Sequence, residues 1–188
     1  MTSGDFAIGL STIITGLAMT VMLASLDALL TNRKRVKWDW VALLAAFYIF
    51  ILIVGSWGVG FKVMANRSIN PPLWLFLILL GEIIPLYLAA RAALPDQLLD
   101  EGVNLGAHYA LVSRYMWTSV AFSYALFLAW GFAKWGGMGE LRQQWLVLAQ
   151  VVAIIPLLLF RQRRVHEILV PVVFLLFCFH HLNEPSFA

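Results

Sequence analysis

The residue best placed to do chemistry is Glu82, set in Leu80-Gly81-Glu82-Ile83-Ile84-Pro85 near the middle of a long apolar run. A carboxylate at the centre of a bilayer costs several kcal/mol unless it is paired, protonated or wet, so such a group is a functional candidate by default. Pro85 has no N–H to give the carbonyl four residues earlier, that of Gly81. A freed backbone oxygen and a carboxyl at the same depth can coordinate a cation or pass a proton. The competing reading is a hydrogen-bonded or protonated Glu that joins two helices.

Other polar groups are scattered through the apolar runs. Gln150 lies about two turns into the fifth run, and Asp27 lies near the end of the first, a turn or two from Arg33 and Arg35. A local ion pair is the expected role of Asp27. His180 and His181 close the last run, His166 and Glu167 open it, and His108 stands in the longest connection. Adjacent histidines point in different directions on a helix, so the pair is a poor chelate and no metal site is expected. Ranked by depth, His180 and His181 are outermost, Gln150 follows, Glu82 is central, and Asp27 and Glu167 are innermost. In the first run Gly9, Thr12, Gly16, Thr20 and Ala24 recur three or four apart and share one helix face. Small residues let helices approach closely, so this stripe reads as a packing seam, with a pore lining as the alternative. Ser119 and Ser123 share a face of the fourth run.

These residues need a scaffold, and the composition supplies one. Of 188 residues, 62% are hydrophobic and 12% charged. A water-soluble domain this apolar cannot cover its surface with polar groups. The apolar runs lie at about 6–30, 38–61, 72–94, 115–133, 144–160 and 165–182. At about 20 residues per crossing, six spans leave only short loops and one longer connection, with no room for a second domain. The runs lack the alternation of membrane strands and are about twice their length. The fold expected is therefore all-α, a polytopic transmembrane bundle of six helices in a single integral membrane domain. The glycines at 55, 58 and 60 mark the end of the second span. The second half of the connection, from Leu105 to Arg114, suits an interfacial helix leading into the fourth span.

Charge and tryptophan orient the chain. With the N-terminus outside, Arg33, Lys34, Arg35, Lys37, Arg91, Arg114, Arg161, Arg163 and Arg164 are cytoplasmic, leaving Lys62, Arg67, Lys134 and Arg142 opposite. That asymmetry favours both termini outside. The cations adjoin membrane ends, which points to anionic headgroups and away from nucleic acid. All eight tryptophans (38, 40, 57, 74, 117, 130, 135 and 145) fall near span ends, as interfacial anchors do. The first run has no preceding Lys or Arg and is read as a retained span, not a cleaved leader. A single cysteine, Cys178, excludes an intrachain disulfide.

The stretch from Leu26 to Trp40, with its Thr31-Asn32-Arg33-Lys34-Arg35 centre, resembles a recurrent segment of a group of small six-helix bacterial inner-membrane proteins. Leu94-Pro95-Asp96, with His108-Tyr109 ahead of the fourth span, is similar to the same group. The resemblance covers about the first two thirds of the chain. It implies a multi-pass protein of the bacterial inner membrane and brings no activity, cofactor or site residue with it.

The function these residues suggest is a small proton or cation transporter or channel, with Glu82 central and Asp27 and Gln150 in support. One short six-helix chain has little interior, so a homo-oligomer or a partner membrane subunit is expected. The rival is a non-catalytic accessory, scaffold or sensory subunit of a larger membrane complex. An enzyme is the less favoured class, because only scattered single groups are visible, and neither a cofactor nor a catalytic set is expected.

Overall fold

In lipid the backbone finds no water, so each apolar run must satisfy its own N–H and C=O groups, and helices do that within one segment. A computed structural model describes residues 3–65, 73–96, 102–135 and 145–183. Among these, six helices account for nearly all of the structure: α1 (Ser3–Thr31), α2 (Trp40–Ala65), α3 (Leu73–Ala93), α4 (Leu105–Trp135), α5 (Trp145–Leu159) and α6 (Arg163–Asn183). Of the cations expected on the outer side, Arg67 and Arg142 lie outside the described residues.

Packing closes α2 to α6 into a ring. α3 lies along α4, α4 meets α5, α5 meets α6, and α6 returns to α2, while α1 lies outside the ring against α2 and α3. Small residues line the buried sides of α2 and α3: Ala42, Ala45, Ala46, Ala89, Ala90 and Ala93 are all buried. The outer faces are a belt of large apolar side chains, among them Ile13, Leu17, Phe47, Leu77, Phe122, Val152, Ile168 and Leu175. Exposed apolar area this extensive needs a hydrophobic solvent. Four helices, α1, α2, α3 and α6, contain segments long and apolar enough to cross a membrane. This is an integral membrane protein.

One end carries most of the positive charge and is called the basic end below. There Arg33–Arg35 form a single 3-10 turn, and two short strands, β1 (Val36–Lys37) and β2 (Val103–Asn104), pair in parallel with Val36 opposite Val103. Gly102 precedes this ladder at φ 91°. Only glycine suits it, both for that conformation and because a side chain would run into the carbonyl of Arg35. Asp39 then caps α2, its Oδ1 accepting from the N–H groups of Val41 and Ala42, each at 3.1 Å.

Three expectations are corrected. α4 begins at Leu105, so the supposed interfacial segment is simply its first turns. α2 runs through Gly55, Gly58 and Gly60 to Ala65. A helix tolerates glycine where a neighbour presses close, and a Cβ at Gly55 would lie 3.1 Å from His181 Nε2 and 3.3 Å from Phe177 Cζ. The stripe of Gly9, Thr12, Gly16, Thr20 and Ala24 is not the seam of this bundle. All five are exposed. α1 packs instead through Ala7, Thr15, Ala18, Met22, Ser25 and Leu29, which at roughly 100° per residue occupy the opposite side of the helix.

Candidate functional site

The sequence places polar groups at several depths, and the ring of helices decides which of them meet. Glu82 on α3 is buried at 8% exposure. Its carboxyl lies beside the Ser56 side chain of α2. α3 continues unbroken through Pro85. The hydroxyl of Ser123 on α4 donates to the backbone carbonyl of Glu82 itself at 3.1 Å. The acceptor is thus one residue beyond the Gly81 oxygen that proline was expected to free.

Beside this pair runs a chain of side-chain hydroxyls. Tyr124 Oη on α4 donates to Gln150 Oε1 on α5. Its only proton is used there, so Tyr48 Oη on α2 must donate to Tyr124 Oη, at 3.0 Å. Glu82 is close enough to act electrostatically on Tyr124. Glu82 and Gln150, two of the three transport candidates, therefore both lie near Tyr124, Gln150 bonded to it and Glu82 within electrostatic reach. Tyr48, Tyr124 and Gln150 are each almost wholly removed from the surface. Burial of that many polar groups is tolerated because each has a partner.

Toward the basic end the cluster stops at Trp117. Its ring stacks on Tyr48 with centroids 5.8 Å apart, and it is 0% exposed. Trp117 is thus a core residue and not the interfacial anchor its position suggested. The reason is the early start of α4, which puts Trp117 twelve residues along the helix. Trp38, Trp40, Trp74 and Trp145 remain exposed near helix ends, as anchors are. Trp57 donates from Nε1 to Thr12 Oγ1 at 3.0 Å, pinning α1 to α2.

No protein family, curated protein or solved structure matches this chain.

Asp27 does not join the interior cluster. It is exposed on α1, on the same outward side as the small-residue stripe. The ion pairs among the described residues are Arg91–Asp96, Arg163–Asp39 and Arg163–Glu167, so the expected pairing of Asp27 with Arg33 or Arg35 is not formed. His181 turns back onto its own helix, Nδ1 lying 3.1 Å from the Phe177 carbonyl oxygen. His108 Nε2 lies 3.0 Å from the Ala92 carbonyl oxygen, tying α4 to the end of α3. Among the described residues no three His, Cys, Asp or Glu side chains converge as metal ligands.

The tyrosines were the missed residues. Tyr109, Trp117 and Tyr124 are spaced by eight and seven, about two helical turns each, which keeps them on one broad side of α4. A stripe of aromatic residues with polar tips along one face was available as a signal.

Proposed function

We propose that the protein moves protons across its membrane, with Glu82 as the central proton-carrying group. The observation that carries this reading is the Glu82 carboxyl, set inside the helix ring beside Ser56 and the hydroxyls of Tyr124 and Tyr48. Hydrogen-bonded hydroxyls and a carboxyl exchange protons readily. They offer a metal cation few ligands, and Glu82 brings the one carboxyl among them. Proton movement therefore fits the site better than cation movement. The basic end would face the cytoplasm and both termini the other side, in a bacterial inner membrane. The Lys and Arg distribution and the resemblance of the Leu26–Trp40 stretch support that placement.

A second reading, assembly with another membrane chain, is favoured by α1. Its outward face carries Gly9, Thr12, Gly16, Thr20 and Ala24, with nothing within 4 Å of a Cβ built at Gly9 or Gly16. Small residues four apart let two helices approach closely in lipid, so a homo-oligomer or a partner subunit would bury this face. The two readings are compatible.

The test is proton flux into proteoliposomes driven by an imposed potential and read with an enclosed pH-sensitive dye. Wild-type protein carries flux, and Glu82→Gln, which keeps the shape and a polar head beside Ser56, stops it. Wild-type flux in Glu82→Gln would remove the carboxyl from the mechanism.

A further inference from the structure

On the basic side of Trp117 lies a second hydrogen-bonded group that the central cluster does not reach. Trp117 Nε1 donates to Tyr109 Oη at 2.9 Å. Tyr109 Oη lies 2.8 Å from His166 Nδ1, and His166 Nε2 lies 2.9 Å from the carbonyl oxygen of Phe160. Tyr109 and His166 are both buried. The proton positions follow from the partners. A carbonyl only accepts, so Nε2 carries a proton; an indole N–H only donates, so Tyr109 Oη accepts from Trp117. The one arrangement that satisfies every bond with a neutral ring has Tyr109 donating to Nδ1. Every bond then points the same way, from Trp117 through Tyr109 and His166 to the connection between α5 and α6.

We propose that Tyr109 and His166 form a second proton site, which exchanges protons with the basic side of the membrane and is insulated from the Glu82 cluster by the Trp117 indole. This rests on the reading of Glu82 as a proton carrier. The step balances without another reactant. A proton reaching Tyr109 from the centre is matched by transfer of the Tyr109 hydroxyl proton to Nδ1. The imidazolium then turns and releases the Nδ1 proton to water at the basic end, and it turns back with its Nε2 proton still in place. The insulation follows from chemistry, since an indole N–H has no lone pair with which to take a proton from Tyr48. Passage between the sites therefore requires Trp117 to move aside, which gives the bundle a gate.

The charged groups at this end come from each neighbouring element. Asp39, ahead of α2, acts electrostatically on Tyr109, and its Oδ2 receives Arg163 of α6 at 2.6 Å. Arg163 also reaches Glu167 on the same helix at 2.8 Å. Gly106 of α4 makes room for that contact, since a Cβ there would lie 3.0 Å from Asp39 Oδ2. The Asp39–Arg163 pair joins α2 to α6 beside the Tyr109–His166 pair.

The same liposome assay tests this, with His166→Asn and His166→Ala alongside Tyr109→Phe, which keeps the ring beneath Trp117. All three are expected to fold, Tyr109→Phe less stably because it strands the Trp117 N–H and His166 Nδ1, and to lose flux at least about tenfold. Imidazole added on the basic side restores flux to His166→Ala. Undiminished flux in His166→Asn or Tyr109→Phe, with Glu82→Gln silent, overturns this proposal and leaves the Glu82 reading standing. A loss that imidazole does not restore makes His166 structural and also overturns it. A wild-type protein without flux removes the Glu82 reading and this site with it.

Discussion

Replacing Tyr124 with Phe separates a hub from its rim. Tyr124 holds two hydrogen bonds, accepting from Tyr48 and donating to Gln150. Tyr48 holds the first of these alone. Interhelical hydrogen bonds in membrane proteins are worth about 0.6 kcal/mol on average and at most about 1.7. Tyr48→Phe removes one bond and strands no buried donor, so a cost of about 0.5–1 kcal/mol is expected. Tyr124→Phe removes both bonds and strands the Tyr48 O–H and Gln150 Oε1, each wholly buried. An unsatisfied buried group costs about 1–3 kcal/mol, so the expected loss is about 2–4 kcal/mol. The double variant then strands only Gln150 Oε1, and should be no less stable than Tyr124→Phe alone. The assay is reversible unfolding in mixed detergent micelles followed by circular dichroism, with all three variants in a double-mutant cycle. Equal losses in the two single variants, or simple additivity in the double, would refute the directional chain from Tyr48 to Gln150.

Other outcomes follow from the same packing. Asp39→Ala removes the cap of α2 and should cost about 1 kcal/mol in the same unfolding assay. Asp39→Asn keeps the cap and loses only the charge opposite Arg163, so it should be the milder change. Gly55→Leu forces a branched side chain against His181 and Phe177 and should destabilise by about 1–3 kcal/mol; a neutral result would mean that α2 and α6 are not in close contact there. Trp117→Ala removes the buried indole between Tyr48 and Tyr109; it should fold less stably and leak protons faster than wild type in liposomes. Gly16→Ile, on the outward face of α1, should leave unfolding unchanged and lower the oligomer size measured by light scattering.

How much could be read from the sequence depended on whether lipid discriminates between the alternatives. It discriminates strongly against an unpaired carboxylate, so Glu82 stood out as a candidate from its neighbours alone. It also requires long apolar runs to be helical, so the six helices were legible, with ends misplaced chiefly where α4 extends to Leu105. Lipid does not discriminate between the faces of α1. Neighbouring helices and acyl chains are equally apolar, so a stripe of small residues identifies a surface suited to close packing but not which partner packs there. In this bundle the buried small residues of α2 and α3 are alanines instead. Trp117 was misread for a related reason, since tryptophan is at home both at the headgroup boundary and in a helix core. The pairing of Tyr109 with His166 joins residues 57 apart in sequence and depends on the ring closing, which no local pattern encodes.

Covalent modification of the carboxyl probes the central claim most directly. A lipid-soluble carbodiimide reacts with acidic groups inside a membrane, and peptide mass spectrometry locates the adduct. The account predicts an adduct at Glu82, absent from Glu82→Gln, and proton flux that falls in proportion to the fraction of Glu82 modified. Flux that persists at the wild-type rate when Glu82 is fully modified would contradict it.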